Sequence, residues 1–256
     1  MTLSTTGLRY SAFGLLAGLA IAFFTMRPAA APTPPIAKPA ATTEISNQEL
    51  VDRFHRYYYQ SSERTWSNMR WLGVPTLKMP LDMWIYQEIL YEVKPDLLIE
   101  CGTYNGGSAL YFASMMDLIK KGRVITLDIE PKPNLPKHPR INYLLGSSIS
   151  PEIVAKVRSL IKPGETVMVS LDSNHSKAHV LAELKTYADL VSVGSYLVVE
   201  DTNINGHPVY PEFGPGPMEA LNEFLPDHKN FTIDKEREKF FVSFNPSGYL
   251  KKVSAK

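Results

Sequence analysis

The 256-residue chain contains one cysteine, Cys101. A lone cysteine excludes an internal disulfide and a cysteine zinc cluster. Its place at the end of an apolar run suits a packed thiol better than a nucleophile. Charge of one sign is missing as well: 27 Lys and Arg against 26 Asp and Glu leave a formal charge of +1. With no basic stripe there is no electrostatic footprint for nucleic acid. There is no internal repeat, no second core and no G-x-G-x-x-G dinucleotide fingerprint. Long apolar runs are scarce; residues 10–26 form one, an uncharged stretch flanked by Arg9 and Arg27.

That stretch lies near the lower limit for crossing a bilayer. The proline-alanine segment after it reads as an extended, semi-rigid spacer. The expectation is an anchor over 1–27, a stalk over 28–45 and one domain over 46–256, held at a membrane by a single pass. One Arg on each flank leaves its orientation open. A cleaved signal peptide is the alternative, with residues 29–31 supplying small side chains for cleavage.

From about Ser46, helical and strand patterns alternate. Residues 47–59 form an amphipathic helix, followed by an aromatic-rich loop over 65–79. Pro80 and Asp82 open a second helix that carries Leu81, Ile85 and Ile89 at helical spacing. Strands follow at 96–100, 123–128, 141–145, 166–171 and 195–199, separated by helices, and 231–233 with 240–244 suit a closing hairpin. Apolar strands alternating with helices predict a doubly wound α/β domain on a mostly parallel sheet.

Three acids stand at strand ends. Asp172 closes one apolar run, and Glu200 with Asp201 closes another. In an open parallel sheet, ligands bind beyond these ends, and neighbouring strands lie about 4.8 Å apart. Carboxylates there converge on a divalent cation, or else cap helices and pair with nearby lysines. The turn from Glu100 to Ser108 is where such a sheet holds a nucleotide, and Asp128 ends the next strand, suited to ribose hydroxyls. Glycines without the dinucleotide spacing argue against a pyrophosphate. Ribose plus an amino-acid moiety describes S-adenosylmethionine, and a simple helix-start turn is the alternative. The expected cofactor set is Glu100, Gly102, Thr103, Tyr104, Gly106, Ser108, Asp128, Ser147 and Asp172.

Trp71-Leu-Gly-Val-Pro75, Glu100-Cys-Gly-Thr103, Asn105-Gly-Gly-Ser108, His138-Pro-Arg140, Leu171-Asp-Ser173 with His175, Gly194 to Asp201 and Gly214-Pro-Gly-Pro217 together resemble the cephalosporin hydroxylase family. The likeness runs from about Asn47 to Lys251. Despite its name, that family resembles class I S-adenosylmethionine-dependent methyltransferases and includes enzymes that methylate rhamnosyl hydroxyls of glycolipids. The resemblance implies Mg2+ held by Asp172, Glu200 and Asp201. Cys101 departs from the small residue expected in the family's turn.

The expected reaction is methyl transfer to a hydroxyl of a sugar, glycolipid or other small molecule. His175 is the expected general base, with Lys177 the weaker alternative. His179 and Glu183 suit a local hydrogen bond, and His207 stands in the loop after the acidic pair. Trp66, Trp71, Trp84 and Tyr86 offer flat faces for a sugar ring. Residues 212–217 suit a lid or an oligomer contact, and the aromatic segment before the first strand suits a homo-oligomer interface. An oxidoreductase of the same fold and a noncatalytic glycan-binding protein are the rival readings.

Overall fold

The computed structural model describes residues 45–255. Helix α1 (Asn47–Gln60) begins at Ser46, whose hydroxyl accepts from the Glu49 N–H. A short 3-10 turn (Thr65–Asn68) leads to the two-residue strands β1 (Arg70–Trp71) and β2 (Val74–Pro75), which form a small antiparallel ladder. Helix α2 (Pro80–Val93) starts on proline, where the missing N–H costs nothing.

There follow β3 (Leu97–Cys101), α3 (Gly107–Leu118), β4 (Arg123–Asp128), β5 (Ile141–Leu145), α4 (Pro151–Leu160), β6 (Val167–Leu171), α5 (Lys177–Tyr187), β7 (Tyr196–Val199), α6 (Pro217–Phe224), β8 (Phe231–Ile233) and β9 (Tyr249–Lys252). Seven strands form the main sheet in the order β5-β4-β3-β6-β7-β9-β8. The first five of that order are parallel, and β9 joins β7 and β8 antiparallel. The chain order reverses between β3 and β6, which places the topological switch point, and so the ligand crevice, beyond their carboxyl ends.

Both faces of the sheet are covered. Leu97, Ile99 and Cys101 of β3 belong to one core with Val157 of α4, Leu184 of α5 and Leu221 of α6. Leu98 belongs to the other, with Ile89 of α2 and Phe112 of α3. Strands buried on both faces read as continuous apolar runs, as these do.

Two expectations need correction. Residues 240–244 are not a strand: the hairpin partner of β8 is β9, and Phe244 instead packs against Tyr59 and Trp66. The single-pass membrane placement is withdrawn, because no helix among the described residues is long and apolar enough to cross a membrane. The proposed anchor and stalk fall on residues 1–45, all but the last of which lie outside the described residues.

Candidate active site

Side chains alternate along a strand, and this decides which acids meet. Leu98 of β3, Met168 of β6 and Val198 of β7 face α2 and α3. Two positions on, the same side receives Glu100, Ser170 and Glu200. Glu200 is accordingly turned inward and is 4% exposed. Its Oε1 accepts from the Tyr86 hydroxyl at 2.7 Å and the Ser170 hydroxyl at 2.8 Å. Its Oε2 lies 2.5 Å from the Lys78 ammonium.

Lys78 belongs to the segment between β2 and α2. Its side chain is buried, and its ammonium also donates to Asp172 Oδ2. Burial alone would lower its pKa, but Asp172, Glu200 and Glu100 hold it well above the ordinary lysine value. Burial pushes the carboxyls of Asp172 and Glu200 up, with Lys78 drawing both back. The acidic trio expected from strand ends is thus divided, with Glu200 in an inner layer behind Lys78.

Asp201 takes the opposite direction. Its φ of 55° lies in the left-handed region that few non-glycine residues adopt, and its N–H donates to Asn245 Oδ1 at 3.0 Å. From there its carboxylate reaches His175, whose Nε2 is 3.3 Å from Asp201 Oδ2. Burial raises the Asp201 pKa, and His175 draws it back. Asp172, His175 and Asp201 each offer one ligand atom, all within 4.8 Å of one another. Magnesium–oxygen bonds of about 2.1 Å set two ligands of one ion no more than about 4.2 Å apart, so the carboxylates of Asp172 and Asp201 fit one cation after a modest contraction, with His175 beside them. Burial raises the pKa of both carboxylates, and a cation between them would offset that desolvation.

One cavity of about 780 Å3 runs from this group to the turn after β3. Gly102, Thr103, Tyr104, Ser108, Asp128, Ser147 and Asp172 of the expected cofactor set line it. Asp128 sits at its wall, where Oδ2 accepts from the Tyr104 N–H at 2.8 Å and Oδ1 from the Glu130 N–H at 3.0 Å. Its remaining lone pairs fit ribose hydroxyls. A Cβ on Gly102 would lie 1.9 Å from the Asp172 carbonyl oxygen, so only glycine lets the β3 turn reach the end of β6. Two residues of the set stand apart. Gly106 packs against Pro136 and Tyr143. Glu100 is fully buried: it accepts from Thr126 at 2.6 Å, its Oε1 has no hydrogen-bond partner, and burial pushes its carboxyl up to about 7.

Lys177 is not part of the cavity wall, because its ammonium pairs with Glu223 of α6 at 2.7 Å. His179 meets Glu183 at 3.4 Å, and His207 meets Glu219 at 2.8 Å. Of the aromatic candidates only Trp66 lines the cavity. Trp71 packs edge-on against Tyr111, Trp84 is 57% exposed and paired with Glu88, and Tyr86 is buried against Glu200. Trp66 is joined by Tyr59, stacked at 5.2 Å between ring centres, and by Phe244, edge-on at 5.7 Å. Tyr59, Lys78 and Phe244 are the residues that sequence reasoning missed. The isolated Lys78 in an apolar segment was the one available signal.

Comparison with known proteins places these observations. The family described as Rhamnosyl O-methyltransferase/CmcI matches residues 63–253. The rhamnosyl O-methyltransferase of Mycobacterium bovis (strain BCG / Pasteur 1173P2) is 43% identical over 212 residues, covering 78% of this chain and 84% of that one. Its Mycobacterium leprae (strain TN) counterpart is 41% identical over 211 residues, covering 78% and 90%. Among solved structures, the CmcI-N160 apo-structure overlays with a TM-score of 0.59 at 21% identity, covering 73% of this chain and 77% of that one. That likeness shows the shared fold. On the extent of the family match and the identity to its curated relatives, the chain belongs to the rhamnosyl O-methyltransferase/CmcI family.

Proposed function

We infer that this protein is an S-adenosylmethionine-dependent, divalent-metal-assisted O-methyltransferase whose acceptor is a sugar hydroxyl, with a rhamnosyl glycolipid as the substrate class. The observation that carries this is the single cavity joining Asp128 and the β3 turn to Asp172, His175 and Asp201, roofed by Tyr59, Trp66 and Phe244. Family membership supports methyl transfer over the oxidoreductase and noncatalytic readings.

When bound, the cofactor supplies an electrophilic methyl group, and the cation lowers the pKa of the acceptor hydroxyl. Every other contribution comes from the chain. Asp128 and the N–H groups of the turn hold the ribose end of the cavity. Asp172 and Asp201 hold the cation, with Lys78 offsetting the charge of the carboxylates behind it. His175 stands beside Asp201 at the cavity and takes the hydroxyl proton on Nε2, the work of a general base within hydrogen-bond reach. The Tyr59–Trp66 stack offers a flat apolar surface to the C–H face of the sugar.

The test is methyl transfer by the full-length chain from labelled S-adenosylmethionine to rhamnosyl glycolipids, with Mg2+ and with chelator. Label on a rhamnosyl oxygen that chelation removes is the expected result. A chain that binds the cofactor and labels no rhamnosyl acceptor overturns the substrate assignment. Undiminished labelling in chelator overturns the role of the cation.

A further inference from the structure

Glu183 of α5 is fully buried, yet it lies directly behind the cavity wall. Its Oε1 accepts from the Ser148 hydroxyl at 2.5 Å and from the Ser173 hydroxyl at 2.6 Å. Both serines line the cavity, and so does His179, whose Nε2 is 3.2 Å from Ser148 Oγ and 3.4 Å from Glu183 Oε1. Glu183 Oε2 has no hydrogen-bond partner among the described residues. A carboxylate buried with one oxygen unmet is costly, so packing alone does not account for an acid here.

Ser148 follows β5 and Ser173 follows β6, two strands that β4 and β3 separate in the sheet. One carboxylate oxygen therefore ties together two loops across the strand ends. Asp172 turns to Lys78, while the next residue, Ser173, turns to α5. The Tyr187 hydroxyl fixes the other loop by donating to the Ser148 carbonyl at 2.7 Å.

A serine hydroxyl has one proton to donate and two lone pairs that accept. Ser148 and Ser173 both give their protons to Glu183. Nε2 of His179 then faces acceptors, so it carries the ring proton and takes one lone pair of Ser148. One lone pair is left on Ser148 and two on Ser173, and neither hydroxyl has a proton left for a ligand. In the cofactor, the sulfonium arm and the base leave the ribose from different carbons. With the ribose at Asp128 and the methyl group directed to the cation, the base falls to the wall at Ser148 and Ser173.

We propose that Glu183 sets the base specificity of the cofactor site: by holding the protons of Ser148 and Ser173 it makes both hydroxyls acceptors, which take the amino group of adenine and oppose a carbonyl oxygen in its place. The inference rests on the S-adenosylmethionine reading above. Glu183 touches no ligand itself and acts through the two serines, as a positioning residue.

The test is calorimetric titration of S-adenosylhomocysteine and its 6-oxo analogue, S-inosylhomocysteine, into the full-length chain. Wild type is compared with Glu183→Leu, which frees the hydroxyl protons, and with Ser148→Ala/Ser173→Ala, which removes the acceptors. Wild type is expected to favour the amino ligand about 100-fold or more, since a carbonyl there faces lone pairs. In Glu183→Leu this ratio falls about tenfold or more, and the 6-oxo ligand binds more tightly than it does to wild type. A merely structural role does not produce that gain. The double serine variant loses about tenfold for the amino ligand and lowers the ratio too, which keeps the test open where Glu183→Leu does not fold. Mn2+ binding, followed by the spin-resonance signal of the free ion, stays within about threefold throughout and reports an intact cation end. An unchanged ratio in folded Glu183→Leu or in the double serine variant overturns the proposal, as does wild type that binds both ligands alike. Failure of wild type to bind S-adenosylhomocysteine overturns the cofactor reading instead.

Discussion

The cofactor end and the acceptor end of the cavity are assembled in opposite ways. At the cofactor end, Gly102 to Asn105, Gly107, Ser108, Asp128 and Ser147 come from three successive strand ends within one stretch of chain, and neighbouring strands set their spacing. At the acceptor end, Tyr59 and Trp66 precede the sheet, Lys78 comes from the strap before α2, Asp201 follows β7, and Phe244 lies just before the last strand. The first end is a product of strand-turn-helix grammar. The second exists only once segments far apart in sequence have packed. On the proposed reading, binding the cofactor and selecting an acceptor fall to parts of the fold with different architectural freedom.

The largest expected effect separates holding the cation from moving the proton. Asp201→Asn should lower kcat by about a thousandfold, because it removes charge that the transition state depends on. It should also lose Mn2+. His175→Gln should lose turnover on a similar scale and keep Mn2+ within about threefold. If His175→Gln loses the metal as Asp201→Asn does, His175 is a ligand, and the base must be sought elsewhere on the cavity wall.

A smaller pair of effects tests the division of the cavity directly. Asp128→Asn, which removes the charge from hydrogen bonds to the ribose end, should weaken cofactor binding about 30-fold and leave the acceptor KM within about twofold. Trp66→Ala should raise the acceptor KM about tenfold and leave cofactor affinity unchanged, since it removes one face of the aromatic shelf. Crossed results, with Asp128 moving the acceptor KM or Trp66 the cofactor affinity, would mean that the two ends act as one unit.

The same contrast explains what could be read from the sequence. The alternation of parallel strands and helices, the glycine turn, and the positions of Asp128 and the strand-end acids were legible, since each follows from a local pattern of apolar runs and the residue that ends them. The inward turn of Glu200 was legible in principle, because it shares its parity with Ser170 and Glu100 across neighbouring strands. Convergence of strand ends does not by itself carry that alternation. Lys78 was not legible as a partner of Asp172, which stands 94 residues later. The aromatic candidates show the limit most plainly: Trp66 and Trp71 stand close together in the sequence, yet one lines the cavity and the other packs on α3. Nor did the segment over 240–244 reveal itself. Its short apolar run resembles a strand, but Asp82 takes the Ser243 hydroxyl at 2.6 Å and the Phe244 N–H at 2.8 Å, which holds Phe244 against Tyr59 instead.

The smallest effect at neutral pH concerns how the acceptor end is held to the sheet. His55 of α1 is 4% exposed, stacks on Phe244 at 5.9 Å and lies 3.0 Å from Asn203 Nδ2. Burial lowers its pKa from 6.5 to about 4, so it is neutral in the folded protein near pH 7. A group depressed on folding contributes stability above its unfolded pKa and loses it as pH falls toward the folded one. Between pH 6.5 and about 4 the unfolded chain binds a proton that the folded chain refuses, and the loss reaches about 3 kcal/mol at the lower limit. Thermal unfolding should therefore show wild type losing stability over this window relative to His55→Asn, with little change in their difference above pH 7. Because α1 carries Tyr59, mild acid should also raise the acceptor KM before it weakens cofactor binding. Parallel loss of both would place the acid-sensitive step in the sheet itself and remove the mechanical separation of the two ends.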